Sequence, residues 1–69
     1  MAQKQSTEQQ RTLAGLRAGR HADTVGRYSK GLNVTETTRR QIEDACHELG
    51  YEHIVAERLR ALAAREGQS

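Results

Sequence analysis

Apolar residues recur along this chain at helical spacing, never alternating with polar ones over a strand length, and no proline interrupts them. The pattern predicts four helices. The first is capped by Thr7, with Gln10 three residues later at capping-box spacing, and runs to about Ala18 before Gly19 stops it. Leu13 and Leu16 are its expected apolar contacts, and Ala14 and Gly15 are small enough for another helix to come close. A second, over about 22–29, turns Val25 and Tyr28 inward, with Asp23 or His21 available as its cap and Gly31 as its end. A third runs over about 36–49 from a Thr35 cap, with Ile42, Ala45, Cys46 and Leu49 as its inner stripe and Gly50 as its stop. The fourth, over about 52–66, carries Ile54, Val55, Leu59 and Leu62. The fold class is therefore all-α. Residues 1–10 read as a flexible polar arm, 11–51 as the helical domain, 52–66 as a helix for packing or dimerisation, and 67–69 as a tail.

Composition sharpens this picture. With 69 residues, 35% hydrophobic and only Tyr28 and Tyr51 as aromatics, the core must be thin. Cores of this size supply roughly 3–5 kcal/mol, so support from a second copy or a ligand is physically reasonable. A single cysteine, Cys46, excludes an internal disulfide and reads as a buried structural thiol. No apolar run reaches membrane length and the N-terminus lacks a secretory core, which points to a cytoplasmic protein without a membrane partner. The net charge of +2 conceals an asymmetry. Residues 1–41 hold eight Lys and Arg against three Asp and Glu, a net of +5, whereas residues 42–69 hold three against six, a net of −3. A cationic front half suits a protein that turns one face to phosphates.

The stretch Thr24–Tyr51 carries a more specific signal. Thr24-Val25-Gly26-Arg27, then Val34-Thr35-Glu36-Thr37-Thr38-Arg39, then Ala45 with Glu48-Leu49-Gly50-Tyr51 follow one another in order, with Ala18-Gly19 five residues upstream. This resembles the DNA-binding headpiece of the lac-repressor (LacI/GalR) family of transcription factors, over about 40 of the 69 residues. The resemblance implies a three-helix helix-turn-helix headpiece, with the helix near 22–29 reading the major groove. The fourth helix, read from its own apolar stripe, follows this headpiece, and there the chain departs from the family. Glu52-His53-Ile54 lacks the proline that precedes the family's minor-groove hinge, and Glu52 and Glu57 would be repelled by phosphates, which favours packing or pairing. Arg20 replaces an aliphatic residue, Gly26 replaces a serine, and the sugar-sensing domain is absent, so no small-molecule effector is implied.

Carried onto this sequence, the resemblance places base contacts at Ala22, Asp23 and Arg27. Arg27 can donate twice to guanine, Asp23 can accept from cytosine N4, and Ala22 can touch a thymine methyl. Arg20, His21, Thr24, Lys30, Asn33, Thr35 and Arg39 are candidates for phosphate, contacts that set position rather than sequence. Arg17 and Arg40 are equally well read as solvated charges. His47 and His53 are six residues apart with Gly50 between them, a spacing that does not make a metal site. With no nucleophile–base pair and no phosphate loop, no enzyme and no cofactor are expected. The expected function is a sequence-specific, repressor-like regulator of double-stranded DNA, of the kind plasmids or phages encode, acting as a homodimer. The alternative is a helical protein-interaction module that docks through residues 52–66.

Overall fold

The computed structural model describes residues 7–66, which form α1 (Thr7–Ala18), α2 (Ala22–Ser29), α3 (Glu36–Leu49) and α4 (Glu52–Glu66), with no strand among the described residues. The ends of these helices are set by local chemistry. His21, with extended backbone, caps α2 by accepting the Asp23 N–H on Nδ1 at 3.1 Å, so the cap is His21 and not Asp23. Thr35 caps α3, its Oγ1 accepting the Thr38 N–H at 3.2 Å. The same closing bonds recur after α1, α2 and α3. Arg20 N–H reaches Gly15 O at 2.7 Å, Leu32 N–H reaches Arg27 O at 3.0 Å and Tyr51 N–H reaches Cys46 O at 2.7 Å. Each pairs with a shorter-range bond from the preceding glycine in the left-handed conformation (Gly19, Gly31 and Gly50), the motif that absorbs the last free carbonyls of a helix. The start of α1 differs from expectation. Thr7 is itself helical, residues 7–10 of the expected arm belong to α1, and the rest of that arm lies outside the described residues. Gln10 does not close a capping box; its Oε1 meets His53 Nε2 at 2.6 Å.

The core consists of Ala14, Val25, Tyr28, Ile42, Cys46 and Ile54, with Ala18, Val34, Tyr51 and Val55 packed against it. α1 packs on α2 and α3, and α4 packs on the same two helices. Four leucines depart from the sequence reading. On α1, Leu13 and Leu16 are 37% and 73% exposed, while Ala14 and Gly15 face inward. The reason is proximity: a Cβ on Gly15 would stand 2.7 Å from the Arg20 carbonyl oxygen, a separation at which no leucine fits. Leu49 is only partly covered, and Leu59 is 62% exposed on the outer face of α4.

α4 is docked rather than free. Ile54 is fully buried, and the arginines of its inner face close the C-terminal end of α2. Arg58 Nη1 donates to Tyr28 O at 2.8 Å and Leu32 O at 3.1 Å, with its guanidinium 4.6 Å from the centre of the Tyr28 ring. Arg65 Nη1 donates to Gly31 O at 2.8 Å. Carbonyls at a helix end take such cations favourably, through both hydrogen bonding and the helix dipole. Gly31 has φ 79°, and a Cβ there would lie 3.2 Å from Ala61 Cβ, so the turn after α2 needs glycine for its backbone and for the approach of α4.

Candidate nucleic-acid interface

α2 is a short helix with one face fully committed. Val25, Tyr28 and Ser29 are buried, and Ser29 Oγ donates to Gly26 O at 2.9 Å. Tyr28 ties the helix to α3, its hydroxyl donating to Glu43 Oε2 at 2.8 Å. Burial first, and then the hydrogen bond and charge of Glu43, push the Tyr28 hydroxyl well above its ordinary pKa, so it remains a neutral donor. With its inner face fixed in this way, the helix presents Asp23, Arg27 and Lys30 to solvent.

The cations of the chain divide by what they touch. Arg11 pairs with Glu57 at 3.3 Å, and Arg17 pairs with Glu48. Arg39 is neutralised twice, by Glu43 at 3.0 Å and Glu36 at 3.8 Å. Arg58 and Arg65 hold backbone carbonyls. Arg20 is exposed, with its Nε on Gln41 Oε1 at 2.8 Å. Among the described residues, Arg27, Lys30, Arg40 and Arg60 remain with no partner. Two of these four share the outer face of α2. An unpaired cation can meet an anion without giving up a contact inside the fold, which a paired one cannot do as freely.

The remaining candidate positions can be placed on the same criterion. His21 is exposed; because its Nδ1 accepts the cap bond, its ring proton sits on Nε2, where it can donate to an anion. The Asp23 carboxylate lies 3.5 Å from the same Nδ1, farther than the Asp23 N–H that this nitrogen accepts. Ala22 and Thr24 are half-buried, and Asn33 is exposed beyond the end of α2. Two of the candidates have partners of their own inside the fold. The Thr35 hydroxyl donates to Thr38 Oγ1 at 2.7 Å while capping α3, so it has no proton left for phosphate. Arg39, held between two carboxylates, is a structural cation of α3.

An open hollow runs between the first half of α1 and the outer face of α2, lined by Glu8, Arg11, Thr12, Ala22, Asp23, Gly26, Arg27 and Lys30. The sequence reading missed the α1 side of this hollow. Glu8, Thr12 and Gly15 lie at spacings of four and three on one helix face, and Gly15 meets the start of α2; that spacing was the available signal. Thr12 Oγ1 bonds back to Glu8 O at 3.0 Å. The lining of the hollow thus mixes two carboxylates, Glu8 and Asp23, with three cations, Arg11, Arg27 and Lys30. Among the described residues no helix is long and apolar enough to cross a membrane. Comparison with protein-family models, with curated proteins and with solved structures finds no match to this chain.

Proposed function

We propose that this chain binds double-stranded DNA sequence-specifically, as a repressor-like regulator, with the outer face of α2 in the major groove. The observation that carries the reading is the pair Arg27 and Lys30, exposed and unpaired on a helix whose opposite face is buried. Such a helix meets a duplex as a rigid rod, so its backbone needs no ordering on binding and only the side chains Arg27 and Lys30 give up rotamer freedom. Arg27, one turn inside α2, suits the two acceptors of guanine. Asp23 gives the face its discrimination. A carboxylate there is repelled by phosphate and is tolerated only opposite a donor such as cytosine N4. Lys30 and the His21 Nε2–H supply contacts to the backbone. The resemblance to the lac-repressor headpiece supports the same assignment of Ala22, Asp23 and Arg27, and the docked position of α4 agrees with a packing role for that helix.

The test begins with selection of duplexes from a random pool, followed by binding titrations over a salt series. Wild-type protein should bind the selected duplex with an affinity that falls steeply with salt, by about 0.9 log units per log unit of salt for each phosphate neutralised. Arg27→Ala should lose the preference for the selected duplex while retaining non-specific binding. Lys30→Ala should weaken both duplexes alike and lower the salt slope by about 1. Absence of any duplex binding at low salt would refute the proposal.

A further inference from the structure

On the reading that α2 faces DNA, we infer that His21 and Asp23 form a proton-operated selector of sequence: a neutral His21 leaves the Asp23 carboxylate free for a base, and a protonated His21 withdraws it. His21 precedes α2 and caps it, its Nδ1 accepting the Asp23 N–H at 3.1 Å. The Oδ2 of the same Asp23 stands 3.5 Å from the same Nδ1. One ring nitrogen therefore faces both a donor and an anion of a single residue. With a lone pair on Nδ1 the donor is satisfied, and the carboxylate, 93% exposed, stands in the hollow that Arg27 also lines. With a proton on Nδ1 the cap bond is lost, and the new N–H turns to the carboxylate as a charge-assisted donor. The cation then opposes the dipole at the start of α2, and the carboxylate beside it offsets that cost. Imidazole is the side chain whose charge ordinarily changes between about pH 5 and 8, a span over which carboxylates stay ionised.

Two consequences reach DNA, and both lower selectivity. A carboxylate held by His21 no longer accepts from cytosine N4, so the base pair opposite it is read less sharply. The same pairing cancels the repulsion between Asp23 and phosphate, while the His21 Nε2–H remains a backbone donor and now carries charge. Acid thus strengthens attachment to any duplex and weakens the preference for one. The other charges around His21 are Arg20 in its own turn and, in the hollow that Asp23 lines, Glu8 and Arg11 of α1 and Arg27 and Lys30 of α2. Against the turn itself α1 sets Gly15, and α3 sets Gln41, which holds Arg20 and has Arg40 next to it in sequence. His47 and His53 also gain charge in acid, but they meet Glu52 and Gln10, at 3.2 and 2.6 Å, and line no part of that hollow. Their charge acts on all duplexes alike, so the ratio of two affinities isolates His21 where a single affinity does not.

The full 69-residue chain is titrated with two duplexes, one selected from a random pool at about pH 8 and its copy with one cytosine pair exchanged, from about pH 8 down to about pH 5.5. The exchanged pair is the one at which Asp23→Asn loses discrimination. For wild type the ratio of the two affinities should shrink by about fivefold or more on acidification, while affinity for the exchanged duplex rises. His21→Asn keeps a cap that does not titrate. It should lose some affinity for both duplexes, along with its backbone contact, and its ratio should stay constant with pH. Without DNA, the Asp23 amide resonance should move with the His21 ring in a nuclear magnetic resonance titration, and that step should vanish in His21→Asn. A wild-type ratio independent of pH, or a His21→Asn ratio that still falls, overturns the inference and leaves duplex binding by α2 intact. An Asp23 amide that ignores the ring overturns it as well, as does an Asp23→Asn chain that discriminates at every pair like wild type. Absence of duplex binding at every pH refutes the reading of α2 itself, and the selector falls with it.

Discussion

Two glycines of this chain lie inside helices and should respond in opposite directions to the same substitution. Replacing a helical glycine with alanine adds about 1 kcal/mol of helix propensity where the methyl group is free. At Gly26, on the outer face of α2, nothing comes within 4 Å of an added Cβ. Gly26→Ala should therefore stabilise the fold by about 0.5–1 kcal/mol. At Gly15 the added Cβ would stand 2.7 Å from Arg20 O and 3.3 Å from both Ala22 N and His21 C. All three are backbone atoms at the turn between α1 and α2, so no side chain can swing aside and the two helices must separate. Forcing extra volume into packed structure costs typically 1–3 kcal/mol, which exceeds the propensity gain. Gly15→Ala should be destabilising by about 1–2 kcal/mol net. A domain of this size shifts its melting temperature by roughly 4–8 °C per kcal/mol, so the two variants should melt on opposite sides of wild type, about 6–24 °C apart. Thermal melts followed by circular dichroism at one protein concentration decide the matter. A Gly15→Ala chain that melts at or above wild type would refute the close approach of the α1–α2 turn. A Gly26→Ala chain that melts below wild type would show that the outer face of α2 is not open.

Two further predictions concern the interior. Arg58→Ala leaves Tyr28 O and Leu32 O without their donor and removes the cation from the Tyr28 ring; two charge-assisted bonds and the ring contact together amount to about 2–3 kcal/mol. Urea titration should show a loss of that order, with Arg58→Lys recovering only part of it because an ammonium cannot reproduce the guanidinium fork; a loss below about 0.5 kcal/mol would contradict the clamp. Burial, reinforced by the charge of Glu43, pushes the Cys46 thiol up to about 11 from an ordinary 9.0. The folded state thus holds the proton more tightly than the unfolded chain, so its contribution is intact below pH 9 and is lost as pH rises towards 11, by up to about 3 kcal/mol. Melting temperature should fall over that window, and Cys46→Ala should delay the fall. A Cys46→Ala chain with the same alkaline decline as wild type would count against it, as would rapid alkylation of the native thiol at pH 8.

Much of this architecture was legible in the chain. The bounds of α2 and α3, and the stop of α1, follow from groups within a few residues of each end: the extended cap residues His21 and Thr35, and glycines placed where a left-handed turn closes the helix. Caps act through local hydrogen bonds, so they can be read without knowing what lies across the fold. The inner face of α2 was legible for a similar reason, because Val25 and Tyr28 are its large apolar side chains and share one side. The candidate site was legible only in part. Arg27 and Lys30 carry the same charge as Arg39 and Arg58, and no spacing along the chain distinguishes a cation free in solvent from one that closes a helix end thirty residues away.

The sequence by itself determined that this chain is helical, where α2 and α3 start and stop, and that its cations gather in the first half, because propensity, capping and net charge are properties of neighbours along the chain. The tertiary structure alone decided which face of α1 turns inward, since Gly15 meets a backbone too close for Leu13 or Leu16 to intervene. It also decided which arginines are spent on Glu36, Glu43, Glu57 and the carbonyls of α2, and which stand free. Those outcomes depend on distances between residues remote in sequence, and such distances exist only once the helices have packed.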